Sequence, residues 1–229
     1  MDIRDQHKRR AAESAVETVS DDAVVGLGSG STAAHAIRSI GTRVADGAAI
    51  VGVPSSYQAA DLAREVGIPV RTPADVPDID VTIDGADQVA GNQLIKGGGA
   101  SHTRERVVAT AAGRFLVVVD DEKVESTLDV PVPVEVLSDA RPLVAAAIDE
   151  LGGTPIVRLA TEKSGPVITD NGNQILDCAF GAITDPAALA RSLAPIPGVV
   201  DHGLFVDLAD RIHVGTDDGV DIIECRRLS

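Results

Sequence analysis

The sequence predicts an α/β fold in which a parallel sheet is covered by helices and is followed by a smaller α+β region. In the first 130 residues, short apolar runs alternate with amphipathic helical stretches, the pattern typical of parallel sheets. From about residue 131 to 204 the strands become shorter and turn residues more frequent. The tail from about 205 to 229 has the pattern of two strands joined by a turn. We therefore expect one domain over 1–130 plus about 205–229, and a second over about 131–204.

Each predicted element follows from a local pattern. Strands are predicted in the apolar runs DAVVGLG, AAIVGVP, DIDVTIDGAD and GRFLVVVDD, which are bounded by turn residues. Helical spacing is found in RDQHKRRAAESAVETV, STAAHAIRSIGTRV, SSYQAADLAREVG and TRERVVATAA. The Ser/Thr start of the second helix can cap it, and Gly67 closes the third. In the later region ARPLVAAAIDELGG is a further helix.

Composition excludes several classes of protein. The formal charge is −15, which disfavours nucleic acid and anionic membrane surfaces as partners. No apolar run approaches the roughly 18 residues of a membrane span, and the start lacks a secretory signal, so we expect a cytoplasmic protein. Two cysteines without C-x-x-C spacing and five histidines without H-E-x-x-H argue against a metal site.

The balance of charged residues is unusual as well. Asp accounts for 25 of the 35 acids, whereas only four residues are Lys, which is the surface chemistry expected of a protein kept soluble in concentrated salt. We therefore expect the protein to be halophilic. With so few lysines, any lysine within a motif is informative.

The first chemically distinctive loop is GLGSGST, Gly26 to Thr32, between a predicted strand and helix. Glycines permit a tight turn, the N–H groups at a helix start attract anions, and Ser29, Ser31 and Thr32 add hydroxyl groups. The pattern is neither the dinucleotide motif G-x-G-x-x-G nor a P-loop, which would carry a lysine. A small phosphate group is the expected ligand, and an ordinary capped turn is the alternative.

A second loop, DGAD at residues 84–87, follows a predicted buried strand. Asp84 and Asp87 can both face one crevice, where two neighbouring carboxylates disfavour joint ionisation. The alternative is an exposed Asp-Gly turn in an acid-rich protein.

The third stretch is LIKGGGASHTRERVVA, residues 94–109. Gly97, Gly98 and Gly99 allow a ligand to lie against bare backbone, with Lys96 before them. Glu105 falls in the first turns of the next helix, where it is a candidate general base; a solvated helical glutamate is the alternative.

In the fourth stretch, VVDDEKV, Lys123 follows a buried strand and can supply a point charge to a phosphate, or it is simply an exposed cation. Because ligands of parallel α/β sheets bind beyond the carboxyl ends of strands, we expect the four loops to share one crevice.

Taken together, these stretches resemble the ribose-5-phosphate isomerase type A family. The family has a G-x-G-(T/S)-G-S-T loop, a D-G-A-D-E motif and an L-I-K-G-G-G motif before an R-E-K helix; here they read GLGSGST, DGADQ and LIKGGGASHTRER. GPVITDNGNQILD and IPGVVDHGLF also match the family pattern for its smaller domain. The resemblance covers essentially the whole chain, in the family's order.

The resemblance implies a Rossmann-like parallel-sheet domain with an inserted α+β, ferredoxin-like domain. It also implies interconversion of ribose 5-phosphate and ribulose 5-phosphate through a cis-enediolate, without metal or cofactor, in a homodimer or homotetramer. Glu105 would be the proton acceptor, Lys96 would stabilise the oxyanion, and Asp84 and Asp87 would bind sugar hydroxyls. The implied substrate-binding residues are Ser29, Gly30, Ser31, Thr32, Asp84, Gly85, Ala86, Asp87, Lys96, Gly97, Gly98, Gly99 and Lys123. In some members an N-terminal lysine contacts phosphate, a place that Lys8 or His7 would take.

The sequence departs from the family pattern in three places: Gln88 replaces the usual acid, Ser29 stands where Thr is common, and Ala-Ser-His follows the third glycine. Two other kinds of protein are disfavoured. A sugar-phosphate sensor of a transcription regulator would need a DNA-binding module, for which the two expected domains leave no length. A sugar-phosphate lactonase or amino-sugar-phosphate deaminase of related fold is disfavoured by DGAD and by the glutamate after KGGG.

Overall fold

The computed structural model describes residues 2–225, and the chain divides into two compact units. The first unit comprises Met1–Ala86, Arg104–Val124 and Asp207–Ser229, and the second comprises Asp87–Thr103 and Glu125–Val206. Residues 226–229, the end of the expected first domain and of the predicted last strand segment, lie outside the described residues.

The elements follow one another in an order that the sequence largely predicts. The helices are α1 (Ile3–Val16), α2 (Gly30–Ala45), α3 (Tyr57–Glu65), α4 (His102–Ala111), α5 (Arg141–Glu150) and α6 (Pro186–Leu193). The strands are β1 (Val24–Leu27), β2 (Val51–Pro54), β3 (Ile79–Asp84), β4 (Gln88–Ala90), β5 (Gln93–Ile95), β6 (Ala112–Asp120), β7 (Val132–Val136), β8 (Thr154–Val157), β9 (Gln174–Ala179), β10 (Val199–His202), β11 (Leu204–Val206), β12 (Arg211–Gly215) and β13 (Val220–Glu224). Three short 3-10 helices lie at Pro73–Asp75, Asp121–Lys123 and Ser138–Ala140.

The first unit is built on a six-stranded sheet with the order β13-β12-β6-β3-β1-β2, parallel except for the antiparallel edge strand β13. Side chains of α1 and α2 pack with Val25 and Val81 of the central strands in one buried cluster. Thr82 points to the opposite face because side chains alternate along a strand, and it donates a hydrogen bond there to the Val108 carbonyl of α4. The predicted parallel sheet with helices on both faces is confirmed.

The second unit contains a four-stranded antiparallel sheet with the order β10-β7-β9-β8. With α5 after β7 and α6 after β9, the chain runs β-α-β-β-α-β, the ferredoxin-like arrangement. Its core is formed by β-branched residues of β7 together with Val144 and Ile148 of α5. A three-stranded sheet, β11-β5-β4, completes the unit.

The boundaries of the units differ from the expected ones at residues 87–103, which the sequence placed in the first domain. The β4–β5 hairpin belongs to the second unit because β5 pairs with β11, with Ile95 opposite Leu204. This pairing joins segments more than one hundred residues apart in the chain, so no local sequence pattern predicts it. Among the described residues, no helix is long and apolar enough to cross a membrane.

Candidate active site

The loop after β1 and the end of β3 are in direct contact within the first unit. Gly28 donates its N–H to the Ile83 carbonyl at 2.9 Å, and a Cβ placed on Gly28 would lie 2.1 Å from Asp84 Oδ1. The chain leaves β1 toward β2 on one side, whereas β3 lies on the other side of β1. This is the topological switch point of the sheet, where open α/β sheets bind ligands.

Asp84 is a buried carboxylate held by the backbone around it. Its Oδ1 accepts hydrogen bonds from Ser29 N–H at 3.0 Å and from Gly85 N–H at 2.7 Å, and the residue is 1% exposed. The interpretation as an exposed Asp-Gly turn is therefore wrong for Asp84, since β3 buries its last residue.

Ser29 precedes helix α2, and its side chain forms no capping hydrogen bond; the predicted Ser/Thr start, at Ser31, lies inside the helix, which begins at Gly30. The Ser29 hydroxyl donates instead to Ser56 Oγ at 2.7 Å and lies 3.1 Å from Ser55 Oγ. Ser56 in turn caps α3 by accepting from Ala59 N–H at 3.1 Å. The sequence did not single out Ser55 and Ser56, although the pair directly follows the strand β2.

Lys8 lies against the same loop. Its Nζ donates to Ser31 Oγ at 3.1 Å, which places an ammonium group of α1 beside the start of α2. The neighbouring residue His7 faces elsewhere: its two ring nitrogens are each 3.0 Å from a carboxylate, Asp121 on one side and Asp217 on the other. Of the two candidates for an N-terminal phosphate contact, Lys8 is the one that touches the loop.

Lys123 ends the short 3-10 helix that follows β6, and it is half-buried. The segment before it is held by Arg4 of α1, whose guanidinium lies 3.3 Å from the buried carboxylate of Asp120 and 3.1 Å from Glu122. The predicted position of Lys123 at a carboxyl strand end is confirmed, since β6 is a central strand of the parallel sheet.

Glu105 lies on α4 and is 4% exposed. The alternative of a solvated helical glutamate is therefore wrong. Arg104 before it turns away to Tyr57, with its guanidinium 4.9 Å from the centre of the ring. A buried carboxylate in the first turn of a helix is a suitable proton acceptor if a carbon acid can reach it.

In the second unit the β4–β5 hairpin brings Asp87 to the glycine loop. Asp87 precedes β4 and donates its N–H to the Ile95 carbonyl at 2.8 Å, which places the residue opposite the end of β5. Its Oδ2 accepts from Gly98 N–H at 2.7 Å. The loop 96–99 thus follows an antiparallel strand, contrary to the expectation that all four loops extend the parallel sheet.

Lys96 is buried, at 3% exposure, and its Nζ lies 5.5 Å from the centre of the Phe205 ring. The backbone is fixed by the pairing of β5 with β11, since Lys96 N–H donates to the Gly203 carbonyl at 2.9 Å. Phe205 was missed as a neighbour of the site. The available signal was its rarity, because the chain has only three phenylalanines and one of them stands in the family-like stretch IPGVVDHGLF.

The three glycines differ in their surroundings. Gly97 has φ +110°, a conformation that favours glycine, and a Cβ there would lie 2.6 Å from His102 Nδ1. At Gly98 a Cβ would lie 2.6 Å from Asp87 Oδ1, whereas at Gly99 it would meet nothing within 4 Å. Neighbouring groups of the second unit explain why Gly97 and Gly98 have no side chain. At Gly99 no such neighbour explains it.

Gln88 has a structural role that explains why an amide replaces the usual acid. Its Nε2 donates to Asp129 Oδ1 at 2.7 Å, and its Oε1 accepts from the N–H groups of Asp129 at 2.8 Å and Val130 at 3.1 Å. A glutamate could accept the two backbone bonds, but it would face the Asp129 carboxylate without a proton to donate.

The site residues are therefore distributed over both units. Ser29–Thr32, Asp84–Ala86, Glu105 and Lys123 belong to the first, and Asp87 and Lys96–Gly99 to the second. Among residues 2–225, no group of three or more His, Cys, Asp or Glu side chains is arranged to hold a metal ion.

Comparison with known proteins identifies the family. A sequence profile described as ribose 5-phosphate isomerase A (phosphoriboisomerase A) matches residues 51–219. A ribose-5-phosphate isomerase A from Natronomonas pharaonis is 58% identical over 215 residues, which cover 94% of this chain and 95% of the relative. Close relatives come from halophilic archaea.

Solved structures agree with this assignment. The ribose 5-phosphate isomerase A of Methanocaldococcus jannaschii superposes with a TM-score of 0.92 at 42% identity, covering 95% of this chain and 98% of that one. A D-ribose-5-phosphate isomerase in complex with phospho-erythronic acid superposes with a TM-score of 0.95 at 42% identity, covering 98% and 100%. The chain belongs to the ribose-5-phosphate isomerase A family.

Proposed function

We propose that the protein interconverts D-ribose 5-phosphate and D-ribulose 5-phosphate by proton transfer between C2 and C1. The observation that carries the proposal is the buried carboxylate of Glu105 on α4, in a chain that belongs to an isomerase family over most of its length. An aldose–ketose isomerisation requires one base that removes a proton from one carbon and returns it to the next, and no net redox partner.

Glu105 is the proton acceptor in this proposal. Its carboxylate takes the proton from C2 of the open-chain aldose, the electrons of the C–H bond form the C1–C2 double bond, and the π electrons of the C1 carbonyl move to O1, which gives a cis-enediolate. The hydroxyl proton of O2 passes to O1, the C2 carbonyl forms, and the carboxylic acid returns its proton to C1, which yields the ketose. Burial supports this role because a carboxylate shielded from water keeps the proton it has taken for the second step.

Lys96 and the glycine loop stabilise the oxyanion that develops on O1 and O2. Lys96 is buried, so its positive charge acts at low dielectric, where one well-placed donor contributes about 3–4 kcal/mol to transition-state stabilisation. Phospho-erythronic acid, present in the complex of a related isomerase, supports this assignment, since its carboxylate shares a negative charge between two neighbouring oxygens, as the enediolate does.

Asp84 and Asp87 bind sugar hydroxyls, and one of them assists ring opening or the movement of the proton between O1 and O2. They are three residues apart, so the chain allows their Cα atoms a separation of at most about 11 Å. The chain passes from the first unit to the second between Ala86 and Asp87 and returns between Thr103 and Arg104. Asp84 and Asp87 therefore stand on either side of the first of these boundaries in the chain.

Ser29, Gly30, Ser31, Thr32 and Lys123 bind the phosphate group. The start of α2 supports this assignment because its N–H groups and helix dipole favour an anion, and because Lys8 already lies against Ser31. Gly85 and Ala86 complete the substrate contacts beside Asp84. A cytoplasmic location and assembly as a homodimer or homotetramer complete the proposal.

The decisive experiment is a coupled assay with ribose 5-phosphate on the wild type, on Glu105→Gln and on Glu65→Gln as a control at the end of α3. We expect an active wild type and control, and a loss of kcat of at least about 100-fold in Glu105→Gln, the lower range for removing a general base. Wild-type inactivity would refute the function, and near-normal kcat in Glu105→Gln would refute the role of that residue alone.

A further inference from the structure

The second unit contributes an arginine that touches the backbone of the glycine loop. Arg158 directly follows β8, and its side chain is 17% exposed. Its Nη1 donates to the Gly97 carbonyl at 2.8 Å and to the Gly98 carbonyl at 3.0 Å. No sequence motif predicted this contact, because the residues are about sixty positions apart in the chain.

The guanidinium is fixed from its other side by Asp177 on β9. Arg158 Nε donates to Asp177 Oδ2 at 2.9 Å, and Nη2 donates to Oδ1 of the same carboxylate. The backbone on both sides is also paired: Arg158 N–H donates to the Ile175 carbonyl at 3.0 Å, and its carbonyl accepts from Val167 N–H at 2.9 Å. A planar guanidinium held in a bidentate pair can present its remaining N–H groups in only one direction.

Fixing the two carbonyls also fixes the N–H groups on the far side of the same peptides. A trans peptide is planar, so its C=O and the following N–H point in opposite directions. The carbonyl of Gly97 shares a peptide with Gly98 N–H, and this N–H indeed points away from Arg158 to Asp87 Oδ2, at 2.7 Å. The carbonyl of Gly98 shares a peptide with Gly99 N–H, which by the same geometry also points away from Arg158.

We infer that Arg158, held by Asp177, is a positioning residue that aims the Gly99 N–H at the developing oxyanion of the substrate. This inference rests on the proposed function. Three successive glycines lose more conformational freedom than any other sequence when they become ordered. The arginine supplies that order, and its positive charge on the carbonyls polarises the peptides so that their N–H groups become stronger donors. The ferredoxin-like part of the chain, which supplies no proposed reacting group, thereby takes part in catalysis.

The test compares Arg158→Gln, Arg158→Lys and Asp177→Asn with Arg141→Gln, a control in the same unit. Arg141 donates to Gln174 Oε1 at 3.0 Å, so its loss removes a hydrogen bond to β9 without touching the glycine loop. We expect Arg158→Gln to lower kcat about 100-fold, the effect of misplacing a reacting group by about 1 Å, with a KM within about twofold of wild type. Arg158→Lys keeps the positive charge but loses the planar guanidinium with its fixed N–H donors. Its kcat should therefore exceed that of Arg158→Gln by no more than about tenfold.

A second readout distinguishes positioning from a general loss of structure. Methylguanidinium added to Arg158→Ala should raise kcat in a saturable manner, whereas the same concentration of methylammonium should not. Saturable rescue supports the inference even if the melting temperature of the variant is lowered. Arg158→Gln with kcat within threefold of wild type, or an equal kcat loss in Arg158→Gln and Arg141→Gln, would overturn it. The proposed function is judged separately, by wild-type turnover of ribose 5-phosphate and its loss in Glu105→Gln.

Discussion

Gly28 and Asp84 are in contact at the switch point of the sheet, and no side chain fits between them. A Cβ on Gly28 would lie 2.1 Å from Asp84 Oδ1 and 2.2 Å from its carboxyl carbon. The glycine therefore permits the loop after β1 and the end of β3 to lie side by side, and it fixes where the Asp84 carboxylate stands.

Gly28→Ala should displace the Asp84 carboxylate. We expect it to lower kcat/KM strongly and to lower the free energy of unfolding only moderately. We expect a loss of about 1–3 kcal/mol in the free energy of unfolding, typical of overpacking, together with at least about a 100-fold loss in kcat/KM. Gly41→Ala on α2 is the matched control, because its Cβ would lie 2.6 Å from Val66 side-chain atoms, away from the site. Thermal unfolding and the isomerase assay on both variants check this; equal kcat/KM losses would contradict it.

Gly98 and Gly99 allow a second comparison of two variants. Both residues are proposed to contact the substrate, but only at Gly98 would an added Cβ meet another protein group. Gly98→Ala should lower both the melting temperature and kcat because its Cβ would lie 2.6 Å from Asp87 Oδ1. Gly99→Ala should leave the free energy of unfolding within about 0.5 kcal/mol, as for an open surface site, yet lower kcat/KM at least tenfold. Full activity of Gly99→Ala would show that no substrate atom lies against that residue.

Gln88→Glu should destabilise the protein because it places a second carboxylate against Asp129 in a position that is 4% exposed. We expect a loss of about 2–4 kcal/mol at neutral pH, the range for a buried charge without a partner. Asp129→Asn in the same chain should recover most of it, since an amide can donate to the new glutamate. Unfolding curves at constant salt measure both changes, and the absence of coupling between the two substitutions would refute the pairing.

The fold was predictable because the parallel-sheet unit is encoded locally. Each strand of β1, β2, β3 and β6 is a short apolar run closed by turn residues, and burial on both faces requires that composition. The β4–β5 hairpin was not predicted, since its strands have three residues each and the sheet is completed by the distant strand β11, which pairs with β5. Three-residue strands carry too little periodicity to be recognised.

The candidate site likewise contains residues that local motifs predict and residues that only the tertiary structure brings together. Residues such as Lys96 and Glu105 were found because they stand in distinctive local motifs. Phe205, which lies against Lys96, and Arg158, which donates to the Gly97 carbonyl, reach the glycine stretch only through the tertiary structure, and no spacing rule connects them to it. The shared crevice predicted for four loops was inferred from a single parallel sheet; three of the loops follow its strands, but the glycine loop follows β5 of another sheet.

High salt should stabilise the protein. With a formal charge of −15 and Asp as its main acid, the folded chain repels itself, and this repulsion is screened over about 10 Å at 0.1 M salt but about 3 Å at 1 M. We expect the melting temperature to rise steadily with KCl, and to rise less with sucrose at low salt, because sucrose stabilises by exclusion from the surface and does not screen charge. A far-UV spectrum and melting temperature that are unchanged on dialysis to low salt would refute the halophilic character.

His7 should make stability depend on pH above neutrality. Burial lowers its pKa, but hydrogen bonds to Asp121 and Asp217 outweigh this, so that the pKa of His7 is raised in the folded state. Both ring nitrogens can donate to the two carboxylates only when the imidazole is protonated. The folded state therefore holds the proton more tightly than the unfolded state. The resulting stabilisation is complete below the unfolded pKa of about 6.5 and disappears as the pH rises through the folded pKa.

The variant His7→Gln should accordingly lose the part of the pH dependence that this proton causes. We expect the melting temperature of the wild type to exceed that of His7→Gln most at about pH 6, and the difference to shrink toward about pH 9, above the titration. Asp217→Asn is the matched control: it leaves one carboxylate to the imidazole, so the pH at which the difference disappears should move down but remain above 6.5. A constant difference between wild type and His7→Gln over this range would show that the imidazole does not bridge the two carboxylates as a cation.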